Sequence, residues 1–277
     1  MKKSIVTSSV ASLLCIAAIM LATVSCQWKK SGNTGNSEQV TDSKDIVADN
    51  LDSLHITNMP DSVLRIKYNF QFLKSTGSIT DSINAAINQF LVTGRHESDI
   101  RQAILDALTQ EESAMKAEIQ EFYEPDDETY GHIKYEIART GHFISDAADS
   151  VIVYQGIMDI YTGGAHGSYT PLTLNMSKKT GCIINISDVF DISCEQEILD
   201  LMLAQLLKDN GCSNREELME KTGLLTLGEL QLSSNFHLGK DAITFCFGQY
   251  EIAPYSSGIT YISLGYDALK QYLKHNN

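Results

Sequence analysis

Two short segments of the chain hold residue types able to do chemistry. The first is Tyr161-Thr162-Gly163-Gly164-Ala165-His166-Gly167. Its closely spaced glycines let the backbone take positive φ and come near another surface, and the titratable ring of His166 rides at the apex. A ligand-contacting loop or a catalytic base fits that arrangement. A turn with His166 bonded to backbone fits it as well, because one histidine without a partner specifies no mechanism. The second segment runs from Phe247 to Gly258 and holds Tyr250, Pro254 and Tyr255. Two tyrosines and a proline make a stiff aromatic loop, in which each tyrosine offers a flat face and a polar tip to a sugar or a protein. Packing of both rings into the core is the plainer alternative. The candidate ligand-binding set is therefore Tyr161, Gly163, Gly164, His166, Gly167, Tyr250, Pro254 and Tyr255.

Other chemistry is not signalled. The sequence has no GxSxG elbow, HExxH helix, phosphate-binding Walker loop or dinucleotide glycine fingerprint. His96-Glu97 begins like a zinc protease helix, but Ile100 stands where the second histidine belongs. Glu124 to Glu128 is acidic without the alternating ligands and glycine of a calcium loop. No catalytic residue, metal ligand set or cofactor is assigned. A hydrolase would have to pair His166 with a nearby carboxylate such as Asp159, which shares a strand face with Tyr161.

The elements that must hold these segments are legible from periodicity. Val63 to Leu73 reads as a strand. Ser78-x-x-Asp81 reads as a capping box opening a helix with the stripe Ile79, Ile83, Ala86, Ile87 and Phe90, ending at Gly94. A longer helix is expected from Ser98 to Tyr123, buried along Ile100, Ile104, Leu108, Met115, Ile119 and Phe122, with Glu111, Glu112, Glu118 and Glu121 on a solvated face. The period then becomes two. Ile133, Tyr135 and Ile137 alternate with His132, Lys134 and Glu136. Strands are expected at Asp149–Tyr161 and Ser168–Met176, with a hairpin turning through Lys179-Thr180-Gly181. Ser193-x-x-Gln196 should cap a helix ending at Gly211, and Ser213-x-x-Glu216 a shorter one stopping at Gly223. A II′ turn at Gly239-Lys240, a strand with Ile243, Phe245 and Phe247 on one face, a last strand at Ile259–Leu264 and a helix at Tyr266–Leu273 complete the chain. Helices and antiparallel strands come in blocks, so the class is α+β, with antiparallel sheets packed against helices.

The amino terminus reads as an export leader. Lys2 and Lys3 precede an apolar run from Val10 to Val24, too short to span a membrane comfortably, and Ser25 precedes Cys26. Residues 27–58 are polar and without period, the composition of a flexible tether. Lys2 and Lys3 are the leader's only charged residues, so its removal takes the formal charge from −14 to −16. Such a chain is repelled by nucleic acid. Cys182, Cys194, Cys212 and Cys246 could form two bridges or remain thiols.

Thr23-Val24-Ser25-Cys26 resembles the lipobox of bacterial lipoproteins, which implies lipid on Cys26 as the attachment to a membrane. The Tyr-x-Gly-Gly-Ala-His-Gly turn, Asp188-Val189-Phe190 and the Tyr250–Gly258 loop together form a second pattern. It resembles the extracytoplasmic domain pair of RsiV-type lysozyme-sensing anti-sigma factors and of peptidoglycan deacetylase accessory regions, over roughly Val63 to Leu273. The resemblance implies two modules, giving the division 1–25 signal peptide, 26–58 lipidated tether, 59–162 N-terminal module and 163–277 C-terminal module. The sensors' cytoplasmic segment and the deacetylases' catalytic region have no counterpart in this sequence, so binding is what the resemblance can carry over. The expectation is a non-catalytic envelope lipoprotein that binds a lysozyme-like protein or peptidoglycan. The acidic cluster that some lipoproteins use for surface display is missing after Cys26. An outer-membrane location facing the periplasm is therefore expected, with surface display left open.

Overall fold

The computed structural model describes residues 48–59, 62–74, 77–89, 100–122 and 133–274. The leader, Cys26, the tether up to residue 47, Phe90, Gly94, His96-Glu97 and the acidic 124–128 segment lie outside the described residues.

The first layer is a sheet of strands β1 (Ala48–Met59), β2 (Ser62–Leu73), β3 (Ile133–Ile144), β4 (Val151–Tyr161) and β5 (Ser168–Ser177), paired in that order. All neighbours are antiparallel except β2 and β3. That parallel pair needs a crossover, which helices α1 (Ser78–Asn88) and α2 (Ile100–Phe122) supply. Leu64, Ile66, Tyr68, Phe70 and Phe72 alternate along β2 and are all buried on the face the helices cover, against Ile83, Ile87, Ile104 and Leu108. Order begins earlier than the composition suggests. The polar residues 48–58 form most of β1, because an edge strand with one wet face tolerates polar side chains that a core strand would not.

The second layer is built of α3 (Ile186–Val189), α4 (Glu195–Asn210), α5 (Arg215–Thr222), β6 (Phe236–Leu238), β7 (Ala242–Phe247), β8 (Thr260–Gly265) and α6 (Tyr266–Leu269). Strands β6-β7-β8 form an antiparallel sheet in that order. Ile243, Phe245 and Phe247 face its core with Ile198, Met202 and Leu206 of α4. Val151 and Val153 of β4 join this second core from the sheet face that α1 and α2 leave open. The α+β class, with two sheet-containing modules packed against helices, is the class observed. The glycine turn that was expected to open the second module joins β4 to β5 within one sheet.

Several local expectations change. Helix α1 is capped by Gly77 rather than Ser78, and Asp81 N–H donates to the Gly77 carbonyl at 2.8 Å. Cys194, not Ser193, caps α4, since Ser193 is taken up by the Asp191 carboxylate. Asn214 caps α5 by accepting from Glu217 N–H at 2.9 Å. Gly239 does not take the positive φ that a II′ turn demands, and the final helix is a single turn. Gly211 and Gly223 end their helices in the left-handed region, as the sequence indicated. Cys194, Cys212 and Cys246 are free thiols.

The acidic face of α2 is not simply solvated. Glu111 forms a fork with Arg139 of β3 and accepts from the Tyr68 hydroxyl. Glu112 accepts from Lys116 at 2.7 Å, from Thr57 and from His55 of β1 at 3.2 Å. These bonds, that to Lys116 first, hold the Glu112 carboxyl down at about 2. A carboxylate whose folded value is depressed stabilises the fold above its ordinary range and loses that contribution as pH falls toward the folded value. Wild type should therefore lose stability relative to Glu112→Gln between pH ~4.5 and ~2, with exchange of β1 amides rising first. Parallel pH profiles for the two proteins would contradict the clamp.

Asn175 joins the layers. Buried at 2% exposure, its Nδ2 donates to Phe236 O at 2.7 Å, and its Oδ1 accepts from Leu238 N at 3.0 Å. Asn175→Leu leaves a buried donor and a buried acceptor on β6 without partners, so it should cost about 2–4 kcal/mol in denaturant unfolding. A loss under about 1 kcal/mol would show that the joint holds by apolar packing alone.

Candidate functional site

The two segments singled out by residue type meet in space. The β4–β5 hairpin carries the first. Gly163 and Gly164 adopt φ of 95° and 87°, and a Cβ on Gly167 would stand 2.8 Å from the Ile160 carbonyl oxygen. The turn is thus built for glycine at those places. Tyr161 closes it by donating from its hydroxyl to Gly164 O at 3.1 Å. The second segment leaves β7 at Phe247. Ile252 and Ala253 are buried, which pins the loop to the second core. Pro254 packs against Gly223 at the end of α5, and Ser257 Oγ donates to Thr222 O at 3.1 Å. Pro254 thus anchors the loop from behind, while the tyrosines face outward.

His166 sits between them. Its ring stacks on Tyr255, with centroids 3.8 Å apart and planes 18° from parallel. The Tyr250 hydroxyl lies 3.1 Å from Nε2, and Nδ1 lies 3.0 Å from Gly167 O. A carbonyl only accepts, so Nδ1 donates to Gly167 O, while Nε2 and the Tyr250 hydroxyl share the second hydrogen bond. Both ring nitrogens are engaged, and neither meets a carboxylate among the described residues. Tyr250 holds this position with φ of 65°, outside the region ordinary side chains prefer, and is still 53% exposed. His166, Tyr250 and Tyr255 form one aromatic pad, since the two tyrosine rings are themselves 5.8 Å apart.

Sequence reasoning passed over two further exposed tyrosines. Tyr169 of β5 donates its N–H to Gln249 Oε1 at 2.9 Å, and its ring is 37% exposed. Tyr261 of β8 is 51% exposed. Strict alternation in β8 gave the available signal for Tyr261, because it turns that tyrosine away from the core. Asp159 is exposed on β4, on the same strand face as Tyr161, and no bond joins its carboxylate to His166. Burial pushes the Cys246 thiol up to about 12, so it stays protonated and is a poor nucleophile near neutral pH. Among the described residues no group of three or more His, Cys, Asp or Glu is placed to hold a metal ion. The surface offers aromatic faces, hydroxyls and amides, which is the equipment of contact more than of bond cleavage.

The stack predicts a local effect for Tyr255→Ala. Aromatic pairs contribute about 0.5–1.5 kcal/mol, so the melting temperature should fall by no more than about 6 °C. The His166 ring proton resonances should move toward random-coil positions. Unchanged His166 resonances would show that the stack does not persist in solution.

With this geometry in place, comparison with known proteins gives the following. No curated protein sequence matches the chain. Among solved structures it is similar to a member of the DUF3298 family from Bacteroides fragilis NCTC 9343, with 23% identity and a TM-score of 0.73. That match covers 85% of this chain and 96% of the other. It is also similar to a DUF3298 family protein from Pseudomonas aeruginosa PAO1, with 14% identity, a TM-score of 0.57, and 83% and 95% of the two chains covered. The likeness is one of fold. Residues 187–267, which run from α3 into α6 and contain the Tyr250–Gly258 loop, match the DUF3298 family model, described as a protein of unknown function.

Proposed function

We propose that this chain is an envelope lipoprotein held by lipid on Cys26, facing the periplasm from the outer membrane, and that its ordered part is a non-catalytic binding module. The observation that carries this reading is the pad of His166, Tyr250 and Tyr255. It is assembled from two loops on two different sheets, outward-facing, and fixed from behind by buried Ile252 and Ala253. Rigid aromatic side chains held in advance of contact lose little freedom on binding, and tyrosines of this kind dominate contact energies. The ligand is a basic protein of the lysozyme kind or a cell-wall glycan. Without the leader the formal charge is −16 (19 basic and 35 acidic side chains), which would draw a basic protein over long range.

The rival reading, a hydrolase acting through His166 and Asp159, finds less support. The Nε2 that would take a proton is already hydrogen-bonded to the Tyr250 hydroxyl, and the Nδ1 side is oriented by a backbone carbonyl in place of a carboxylate.

The immobilised chain should retain either lysozyme or soluble peptidoglycan fragments, and the Tyr250→Ala, Tyr255→Ala double variant should lose at least about tenfold in affinity. Retention of a protein should weaken as salt rises, while retention of a glycan should not. Cys26→Ser should move the chain from the membrane to the soluble fraction. Turnover of peptidoglycan that depends on His166 would replace the binding reading with the catalytic one.

A further inference from the structure

Beside the pad lies a groove of about 380 Å³, at the small end of ligand-site sizes. Thr170 and Pro171 on the outer edge of β5 form one wall, and Gln231, Ser234 and Asn235 ahead of β6 form the other. Glu251 closes one end. Its carboxylate is fixed by Gly248 N–H at 2.7 Å and by Gln231 Nε2 at 3.2 Å. Asn235 ties the walls together, donating from Nδ2 to Pro171 O at 2.9 Å. Its Oδ1 is buried without a hydrogen-bond partner among the described residues, and a buried acceptor left unpaired is costly until a donor reaches it. Among the described residues no lysine or arginine lines the groove, and Glu251 brings a negative charge to it. An anionic ligand is therefore disfavoured, while hydroxyl and amide groups find both donors and acceptors. The Gly248–Glu251 turn has the groove on one side and the Tyr250 ring of the pad on the other. A ligand long enough to cross the turn touches both.

We propose that this groove is a subsite for a neutral, hydroxyl- and amide-bearing saccharide, one unit of which lies in the groove while the next rests on the tyrosine pad. This rests on the reading of the pad as a contact surface, and it names the ligand class. The test uses the full chain in a sugar-free detergent, with the tetrasaccharide of N-acetylglucosamine as probe, followed by saturation-transfer NMR and calorimetry. Ser234 is exposed, so Ser234→Trp should fill the groove without disturbing the fold. Exposed Gln231→Ala removes one polar wall group and serves as a second variant should the first fold poorly. The expected result is saturable binding by the wild type, weakened at least about tenfold by Ser234→Trp and several-fold by Gln231→Ala. Melting temperatures should be unchanged. Affinity untouched by both groove variants but abolished by Tyr250→Ala would overturn the subsite and leave the pad standing. Absence of saccharide binding at ~10 mM, with a basic protein still retained through Tyr250, would overturn it equally. Loss of every Tyr250-dependent interaction would remove the pad reading and the subsite together.

Discussion

The relation between the two sheets depends on one buried side chain. Strand β5 is the last strand of the larger sheet, and an uncovered edge of this kind invites unwanted pairing. Here Asn175 turns it into a joint by giving its amide to Phe236 O and taking the Leu238 N–H. A side-chain amide offers a donor and an acceptor at the spacing of a peptide group, so it can satisfy β6 where no backbone partner is available. Farther along the same edge, Asn235 reaches Pro171 O and Gln249 reaches Tyr169 N. Pro171 has no N–H to leave unpaired, which suits an edge position. Three amide side chains thus do along β5 what a sixth strand would have done.

This way of joining the layers has a consequence for chemistry. Because β5 is also one arm of the glycine hairpin, whatever fixes β6 and β7 against β5 fixes Tyr250 and Tyr255 against His166. The pad is therefore not two flexible loops that happen to touch. Each loop is anchored in a different hydrophobic core, and the amide bonds along β5 set the distance between them. The groove is the space left where the edge is bridged by side chains rather than closed by a strand. Deeper in the larger sheet, the Glu111–Arg139–Tyr68 group and the Glu112 bonds to β1 bind α2 to strands on either side of β2. They place charged and polar contacts where a purely apolar interface would leave α2 free to slide.

The Asp188-Val189-Phe190 motif shows how a recognisable pattern can be structural. Asp188 accepts from Asn185 N–H at 2.8 Å and caps the single turn of α3, while Phe190 is fully buried and stacks with Phe245 at 6.2 Å. Its value lies in holding the chain entering α4 against the second core. The aromatic loop is different, since Tyr250 occupies a backbone region that costs energy and gains no burial in return. Strain without packing gain directs attention to contact with another molecule.

Periodicity by itself determined the strands of the larger sheet from β2 to β5, the long helices, the glycine stops after α4 and α5, and the α+β class, because burial of alternate or every third-and-fourth residue is a local property of the chain. Residue type also determined that His166, Tyr250 and Tyr255 deserved notice. Only the tertiary structure decided that they form one surface, that β1 is ordered, that Glu111 and Glu112 clamp the sheet, and that Asn175 and Asn235 bridge the layers. A polar residue reads as solvated wherever its neighbours in sequence are polar, and its true partner lies dozens of positions away. Tyr250 and His166 are 84 residues apart. What pairs them is the set of side-chain bonds that fix β6 and β7 against β5, which no local pattern records.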